Sequence, residues 1–274
     1  MVLCLVLSAW AACPADREIE AFVSDYRAHR VSPGLGFQLT IQEALCAQAK
    51  MVRQLTDQLG PVVGYKAGLT NPAMQKRFGI DQPVRGVLLR DMLMKSGAEL
   101  PADFGALPFY EADFVVVVKD DGLARATSLR EAAESISHIV PFMELPDLMV
   151  DPATKLTGPA VVAMNAGARL GVLGEPIPMQ TTNEFIDALA RMTVTLSQDG
   201  VELHRGAGSA IMGHPLNSAM WLARDLNKSG IRLKPGDLLS LGTFLPIQPA
   251  KVGITGTVKY IGIPGDPEVS VRFR

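Results

Sequence analysis

The sequence has 274 residues, of which 48% are hydrophobic and 20% charged, and its formal net charge at pH 7 is −2. This length can bury a sizeable core, either as one large domain or as one domain with a helical extension. The small net charge and the lack of a basic cluster give no reason to expect nucleic acid or an anionic membrane as a partner. No apolar run reaches the roughly 18 residues that a membrane-spanning helix needs, so no span is predicted.

The N-terminal residues predict a signal peptide over residues 1–11. Residues 1–7 form an apolar core, and residues 9–11 supply an A-x-A cleavage pattern. The basic segment that usually precedes such a core is missing, since the first Lys or Arg is Arg17. A misassigned start codon explains this, and so does the alternative that these residues form a buried first helix of a cytoplasmic protein.

Cysteine usage favours export to the periplasm. Cleavage after Ala11 would remove Cys4 and leave Cys13 and Cys46. An even pair near the start of an exported chain predicts a disulfide, which would tie the N-terminus to the helix containing Cys46. The alternative is a pair of buried thiols in a reducing cytosol.

Two amphipathic helices are predicted in a helical N-terminal region, residues 12–60. The first spans residues 17–30 and has apolar side chains at helical spacing on one face: Ile19, Phe22, Val23 and Tyr26. The second spans residues 40–59, begins with Thr40 as its cap and has Glu43 three residues later. Pro61 ends this region.

A mostly β body is predicted over residues 61–274. Strand-like runs occur at residues 62–66, 114–119, 160–168, 192–198 and 238–244. Helices are predicted at residues 128–140 and 217–228, the second of which stops before Gly230. This order is typical of an α+β chain, with a helical N-terminal layer followed by a β body that carries the site.

Three carboxylates indicate a metal site. Glu111 and Asp113 open a run that continues into four valines, and Glu144 follows the apolar stretch 139–143. Side chains at i and i+2 of a strand share one face, so the first two acids would repel each other and lose hydration together. Mg²⁺ or Mn²⁺ would compensate, because both prefer oxygen ligands. The alternative is a solvated strand end, but Glu144 at the end of a second strand-like run favours the metal.

Seven motifs in one order resemble the 2-keto-4-pentenoate hydratase / 4-oxalocrotonate decarboxylase branch of the fumarylacetoacetate hydrolase superfamily. The resemblance runs from about residue 22 to the C-terminus. The motifs are Gly64–Thr70, Gly79–Pro83, Gly86–Leu88, Glu111–Asp113, Gly213–Asn217, Trp221–Ala223 and Gly236–Thr243. The resemblance implies a mixed β-roll body, a divalent metal, usually Mg²⁺ or Mn²⁺, and chemistry on small 2-oxo acids with an enolisable position.

The resemblance also implies roles for individual residues. Glu111, Asp113 and Glu144 match the metal-binding acids, Lys66 matches a lysine beside the substrate, and Asp81 matches an acid–base aspartate. The positions that match substrate-binding residues are Leu69, Thr70, Asn165, Gly242 and Thr243. A 2-oxo acid would chelate the metal through its carboxylate and keto oxygens, and the metal would act as a Lewis acid on the developing enolate.

Lys66 and Asp81 also have simpler interpretations. We expect Lys66, beside the metal and partly desolvated, to have a lowered pKa and to exchange protons with the substrate. From the residues alone, Lys66 is typical of a solvated strand position and Asp81 of a turn beside Pro83. His214 precedes Pro215 where a helix begins, and we expect it to be structural.

Two departures from the family pattern bear on function. Asp113 stands where the family usually has Glu, which is one methylene longer. Asn165-Ala166-Gly167 stands where the hydratases often have Asn-Ala-Ser, so Gly167 lacks a hydroxyl that lines their site. The missing hydroxyl argues against hydration of the usual dienoate. An exported location is unusual for an enzyme of aromatic catabolism.

The sequence predicts a metal-dependent lyase that acts on a small 2-oxo acid, hydratase-like first. A decarboxylase or a C–C hydrolase of the same superfamily is the alternative within enzymes. A periplasmic binder of 2-oxo acids that keeps the metal but lacks turnover is the alternative outside enzymes, and Gly167 keeps it open. We expect a homo-oligomer.

Overall fold

The structure is a computed structural model that describes residues 13–35 and 38–274. The predicted signal peptide, residues 1–11, therefore lies outside the described residues. No helix within the described ranges combines the length and the apolar character that a membrane crossing requires.

The elements that the structure describes are short and mixed along the chain. The helices are α1 (Asp16–Arg27), α2 (Ile41–Leu59), α3 (Pro72–Arg77), α4 (Leu129–Glu134), α5 (Gly158–Ala163), α6 (Asn183–Arg191) and α7 (Pro215–Lys228). The strands are β1 (Val62–Gly68), β2 (Val84–Leu89), β3 (Leu93–Lys95), β4 (Ala98–Leu100), β5 (Phe109–Val118), β6 (Ile136–Leu145), β7 (Leu170–Leu173), β8 (Ile177–Pro178), β9 (Thr193–Gln198), β10 (Val201–Ala207), β11 (Leu238–Ser240), β12 (Gln248–Pro249), β13 (Thr255–Ile261) and β14 (Glu268–Phe273). Short 3-10 turns lie at Arg90–Met92, Asp121–Ala124, Asn165–Gly167 and Gly208–Ala210.

The two N-terminal helices form as the sequence predicts. The four apolar residues that the sequence places on one face of α1 are all buried. At the start of α2 the Thr40 hydroxyl accepts a hydrogen bond from the Glu43 amide (3.2 Å), and the Glu43 carboxylate accepts one from the Thr40 amide (2.8 Å). The Sγ atoms of Cys13 and Cys46 are joined, with their Cα atoms 5.6 Å apart, so the segment before α1 is attached to α2.

The described strands form two mixed sheets. The larger has the order β2-β1-β11-β5-β6-β7-β3, with β12 paired to β5 and β8 to β6; the smaller has the order β10-β9-β13-β14-β4. Three neighbouring pairs are parallel (β1 with β11, β3 with β7, β4 with β14), and the other pairs are antiparallel. These sheets and the helices confirm the predicted α+β class and its mixed β body.

The main core joins the two sheets and fixes the centre of β5. The Tyr260 hydroxyl on β13 accepts a hydrogen bond from the Phe142 amide on β6 (3.2 Å), and the Phe142 carbonyl lies 2.8 Å from the same oxygen. The Tyr260 ring also lies 5.3 Å from the Phe114 ring, centre to centre. Both aromatic residues are fully buried, so the strands that carry the three acids are packed from the side of the smaller sheet.

Two sequence predictions of secondary structure were wrong. Residues 160–168, predicted as a strand, contain the end of α5 and a 3-10 turn, because Thr157 caps α5 and Pro159 lies in its first turn. An apolar run has no period that separates a buried helix from a buried strand. The helix predicted at residues 128–140 ends at Glu134. The β-branched residues Ile136, Ile139 and Val140 belong to β6 instead.

Candidate metal centre

The three predicted metal ligands come together through the register of β5 and β6. Glu111 on β5 lies directly opposite Glu144 on β6, and Asp113 follows two residues later on the same face of β5. One carboxylate oxygen from each residue lies within 4.8 Å of the other two. All three side chains are buried. The three acids thus form one buried cluster, and the alternative of a solvated strand end is excluded for them.

Asp113 is held by hydrogen bonds from the turn that follows β11. Its Oδ1 accepts hydrogen bonds from the amides of Leu241 (3.1 Å), Gly242 (2.9 Å) and Phe114 (2.5 Å), and its Oδ2 accepts one from the Ser240 hydroxyl (2.5 Å). Burial and the charge of Glu144 raise the pKa of Asp113 to about 7, in spite of these donors. The shorter acid is thereby fixed in one position.

The negative charges of Glu111 and Glu144 have fewer hydrogen-bond donors beside them than the charge of Asp113 has. Burial, followed by the repulsion of Glu144, raises the pKa of Glu111 well above its usual range. Oε1 of Glu144 is bound by Lys66, but Oε2 is buried and has no hydrogen-bond partner among the described residues. A buried carboxylate oxygen without a donor is unfavourable. An oxygen-liganded divalent cation would satisfy it, so the donor set fits a hard divalent metal ion.

Lys66 lies at the centre of this charge cluster. It is 3% exposed on β1, and its Nζ donates hydrogen bonds to Oε1 of Glu144 and to the carbonyl of Ala166 (2.9 Å). The interpretation of Lys66 as a solvated strand residue is therefore excluded. Burial alone would lower the pKa of Lys66, but the charges of Glu144 and Glu111 outweigh it and raise that pKa.

An unusual turn presents the Ala166 carbonyl to Lys66. Asn165, Ala166 and Gly167 all have positive φ, at 57°, 51° and 70°. Oδ1 of Asn165 accepts a hydrogen bond from the Val87 amide (2.7 Å), and Nδ2 donates one to the Val87 carbonyl (2.9 Å). Asn165 is fully buried, so its side chain holds the turn against β2. The glycine at the family's serine position suits this backbone, because only glycine adopts positive φ without strain.

One cavity opens beside the acids and has a volume of about 160 Å³. Of the predicted substrate-binding residues, Leu69, Thr70 and Thr243 line it, as do Lys66 and Glu111. Gly242 and Asn165 are not in its lining, and act through the hydrogen bonds to Asp113 and Val87 described above. The remaining lining residues are Ala67, Gly68, Asn71, Met74, Phe78, Pro146, Leu148, Leu156, Val161, Met164, Ala166, Gly167 and Ile247.

Asp81 and His214 lie away from this cavity lining. Asp81 is exposed in the loop between α3 and β2, and the structure does not bring it to the acids. His214 is buried at the start of α7, where Nδ1 accepts a hydrogen bond from the Leu216 amide (3.0 Å) and Nε2 pairs with the Ile186 carbonyl (2.9 Å). The structural role expected for His214 agrees with these contacts.

Sequence reasoning missed three contributors to the site. The Ser240 hydroxyl lies within a motif of the resemblance, and its place before the Gly242 turn was a usable signal. The Ala166 carbonyl gave no signal, because any residue type supplies a carbonyl. Tyr260, which fixes β5 and β6 from the smaller sheet, is far away in sequence and carries no motif.

Comparison with known proteins places this geometry in a family. No family model matches the chain. The chain is 34% identical over 196 residues to a 2-keto-4-pentenoate hydratase of Burkholderia vietnamiensis, covering 71% of this chain and 72% of the relative. It is 30% identical over 247 residues to a 2-oxo-hept-4-ene-1,7-dioate hydratase of Escherichia coli, covering 86% of this chain and 88% of the relative.

A solved structure that contains magnesium shares the fold. The 4-oxalocrotonate decarboxylase of Pseudomonas putida G7, complexed with magnesium and adipate, superimposes with a TM-score of 0.80 at 25% identity. The match covers 94% of this chain and 95% of the decarboxylase. With the hydratase relatives and this structural match, the chain belongs to the 2-keto-4-pentenoate hydratase / 4-oxalocrotonate decarboxylase branch of the fumarylacetoacetate hydrolase superfamily.

Proposed function

We propose that the protein is a divalent-metal-dependent, hydratase-like lyase acting on a small 2-oxo acid. The observation that carries the proposal is the cluster of Glu111, Asp113 and Glu144, whose oxygens lie within 4.8 Å of one another beside the buried Lys66. Glu111 and Lys66 both line the cavity, so a molecule bound there can reach them. The names of the two hydratase relatives support this class of reaction.

The proposed metal is Mg²⁺ or Mn²⁺, held by Glu111, Asp113 and Glu144. The donor set consists of carboxylates alone, which hard cations of this kind prefer. When bound, the metal supplies Lewis acidity to the 2-oxo acid and stabilises the developing enolate. With the charge of Glu144 and Glu111 neutralised, the attraction that raises the pKa of Lys66 would be weaker.

The proposed role of Lys66 is to hold or move the proton at C3 of the substrate, the carbon beside the keto group. Its Nζ is oriented by Glu144 and the Ala166 carbonyl, and the side chain reaches the cavity from β1. Thr70 and Thr243 supply hydroxyl groups in the cavity lining, and we propose that they contact the substrate together with Leu69. Asn165 and Gly242 would hold the site in place through their hydrogen bonds to Val87 and Asp113 without contacting the substrate.

The acid–base role of Asp81 stays a prediction of the resemblance. Asp81 is exposed outside the cavity lining, so the role requires its loop to approach the cavity when substrate binds. Asp81→Asn tests this, because loss of turnover with unchanged substrate affinity supports the role and unchanged turnover refutes it.

The alternatives differ in the chemical step after enolisation. The first alternative is a decarboxylase. It is supported by the structural match to a decarboxylase over 94% of the chain. A C–C hydrolase of the superfamily also remains a prediction. A binder without turnover remains one too, since Gly167 lacks the hydroxyl of the hydratase pattern. Export is a proposal as well: the Cys13–Cys46 pair supports an oxidising compartment, with the cytoplasm as the alternative. Light scattering tests the expected homo-oligomer.

The deciding experiment is metal analysis of the purified protein followed by a turnover screen. The protein is stripped with a chelator, reloaded with Mg²⁺ or Mn²⁺, and incubated with 2-hydroxy-2,4-dienoates and 2-oxo acids. Product analysis by NMR separates hydration, which adds water, from decarboxylation, which releases CO₂, and from C–C cleavage. Metal-dependent hydration supports the proposal. Tight binding of a 2-oxo acid without any product would favour the binder instead.

A further inference from the structure

The cavity is charged at one end only. Lys66 and Glu111 are the ionisable side chains among the described residues that line it. The apolar part of the lining comes from α3 and the residue after it, from the segment after β6, and from α5 and the residues on either side of it. Its members are Met74, Phe78, Leu148, Leu156, Val161 and Met164.

Helix α5 runs between the part of the cavity near Phe78 and the part near Lys66. Leu156 lies two residues before its first residue, Gly158, and the Gly158 amide donates a hydrogen bond to the Phe78 carbonyl (2.8 Å). Beyond its last residue, the Ala166 carbonyl meets Lys66. Helix α5 itself, Gly158–Ala163, is about 9 Å long at helical rise. The contact with Phe78 and the contact with Lys66 therefore lie at opposite ends of α5.

None of the described residues that line the cavity places a cation at its apolar end. Among the described lining residues Lys66 is the only basic side chain, and it is bound by Glu144 and the Ala166 carbonyl. Arg77 adjoins Phe78 in the chain, but it is exposed and outside the lining, with its guanidinium 5.8 Å from the centre of the Phe78 ring. A carboxylate placed between Met74, Phe78 and Leu156 would lose its hydration without gaining a charge partner.

We propose that the substrate is a 2-oxo acid with a single carboxylate and an apolar tail, and that Met74, Phe78 and Leu156 exclude a second carboxylate. This inference rests on the proposed function, because it places the 2-oxo acid group at the metal end. It chooses between substrate types that the two hydratase relatives represent by name, one with a single acid group and one with two. The preference for one carboxylate comes from hydrophobic contact with the apolar tail. It also comes from the lack of a basic side chain beside Met74, Phe78 and Leu156 in the described lining.

The test compares two saturated 2-oxo acids, which have no carbon–carbon double bond for the enzyme to hydrate. Calorimetry on the full-length protein loaded with Mg²⁺ measures the Kd of 2-oxoheptanoate and of 2-oxoheptanedioate, which differ only in the group at the far end. We expect 2-oxoheptanoate to bind at least tenfold more tightly. Equal or tighter binding of the dicarboxylate overturns the inference while leaving the proposed function intact. If neither acid binds, both fail.

Variants locate the origin of the preference. Met74→Lys places a cation at the apolar end and is expected to reduce the preference at least fivefold, whereas Met74→Leu keeps it. Arg77→Ala is also expected to keep it, since Arg77 lies outside the lining. Leu156→Lys serves as a second insertion if Met74→Lys does not fold. An unchanged preference in a folded lysine variant, or a preference that Arg77→Ala alters, contradicts the assignment.

Discussion

Glu111 and Glu144 face each other across one antiparallel strand pair, where neighbouring side chains are forced into contact. Like charges in directly opposite positions destabilise a sheet, and here both are buried. The valines of β5 and the aromatic contacts of Phe114 keep the strands in this register. The sheet therefore holds two acids together at a free-energy cost, an arrangement that a bound cation would relieve.

The first prediction is that Glu111→Gln weakens metal binding without lowering the stability of the fold. The affinity for Mg²⁺ should fall by at least about 100-fold, because loss of a ligand exceeds the typical effect of losing an outer-shell partner. The melting temperature of the metal-free protein should stay equal or rise, because a buried repulsion is removed. Calorimetry and thermal unfolding measure the two effects.

An exposed acid provides the control for Glu111→Gln. Glu175 lies on the surface between β7 and β8, so Glu175→Gln should change neither quantity. Normal metal affinity in Glu111→Gln would refute the shared metal site.

The second prediction assigns Lys66 to the substrate and not to the ion. Lys66→Ala should retain metal affinity, since the three acids remain, but should lose proton exchange at C3 of a 2-oxo acid. NMR in D₂O follows the exchange directly. Lys76→Ala, at an exposed lysine of α3, is the matched control and should exchange at the wild-type rate. Wild-type exchange in Lys66→Ala would make the buried lysine a structural counter-charge only.

The third prediction concerns the glycine at the family's serine position. A Cβ at Gly167 would lie 3.5 Å from the Asp147 carbonyl oxygen, so there is room for a side chain, but φ is +70°. Gly167→Ser and Gly167→Ala should each lose about 1–2 kcal/mol of unfolding free energy through backbone strain. If the missing hydroxyl limits hydration, Gly167→Ser alone should raise hydratase turnover. Equal turnover in the two variants would show that the hydroxyl has no part.

The fourth prediction is a pH dependence that comes from His214. Burial lowers the pKa of His214 in the folded protein below its usual value near 6.5. Its contribution to stability is therefore complete above about pH 6.5 and is lost as the pH falls below that value, because the unfolded chain binds the proton more readily. His214→Asn keeps a cap for α7 and should flatten the fall in melting temperature between about pH 7 and pH 5. A parallel fall in both proteins would assign the acid sensitivity to other groups.

The parts of the site that depend on the alternation of side chains along a strand were predictable from the sequence. The spacing of Glu111 and Asp113 fixes a shared face, and the end of the next apolar run places Glu144 near them. Other contacts depend on long-range pairing. Lys66 and the Ala166 carbonyl are 100 residues apart in the chain, and the turn that carries Ala166 was predicted as a strand. Its three positive φ values come from packing against β2, which no local pattern records.

The last prediction concerns the link between Cys13 and Cys46. The pair closes a loop with a sequence separation of 33, for which the chain-entropy model gives about 3–4 kcal/mol of stabilisation. Reduction, or the double change Cys13→Ser with Cys46→Ser, should therefore lower the melting temperature. It should leave Mg²⁺ affinity unchanged, because none of the proposed ligands is a cysteine. Intact mass of protein isolated from its host completes the test. A mature chain that begins near Ala12 and carries the bond supports export, whereas a chain with Met1 and three free thiols refutes it.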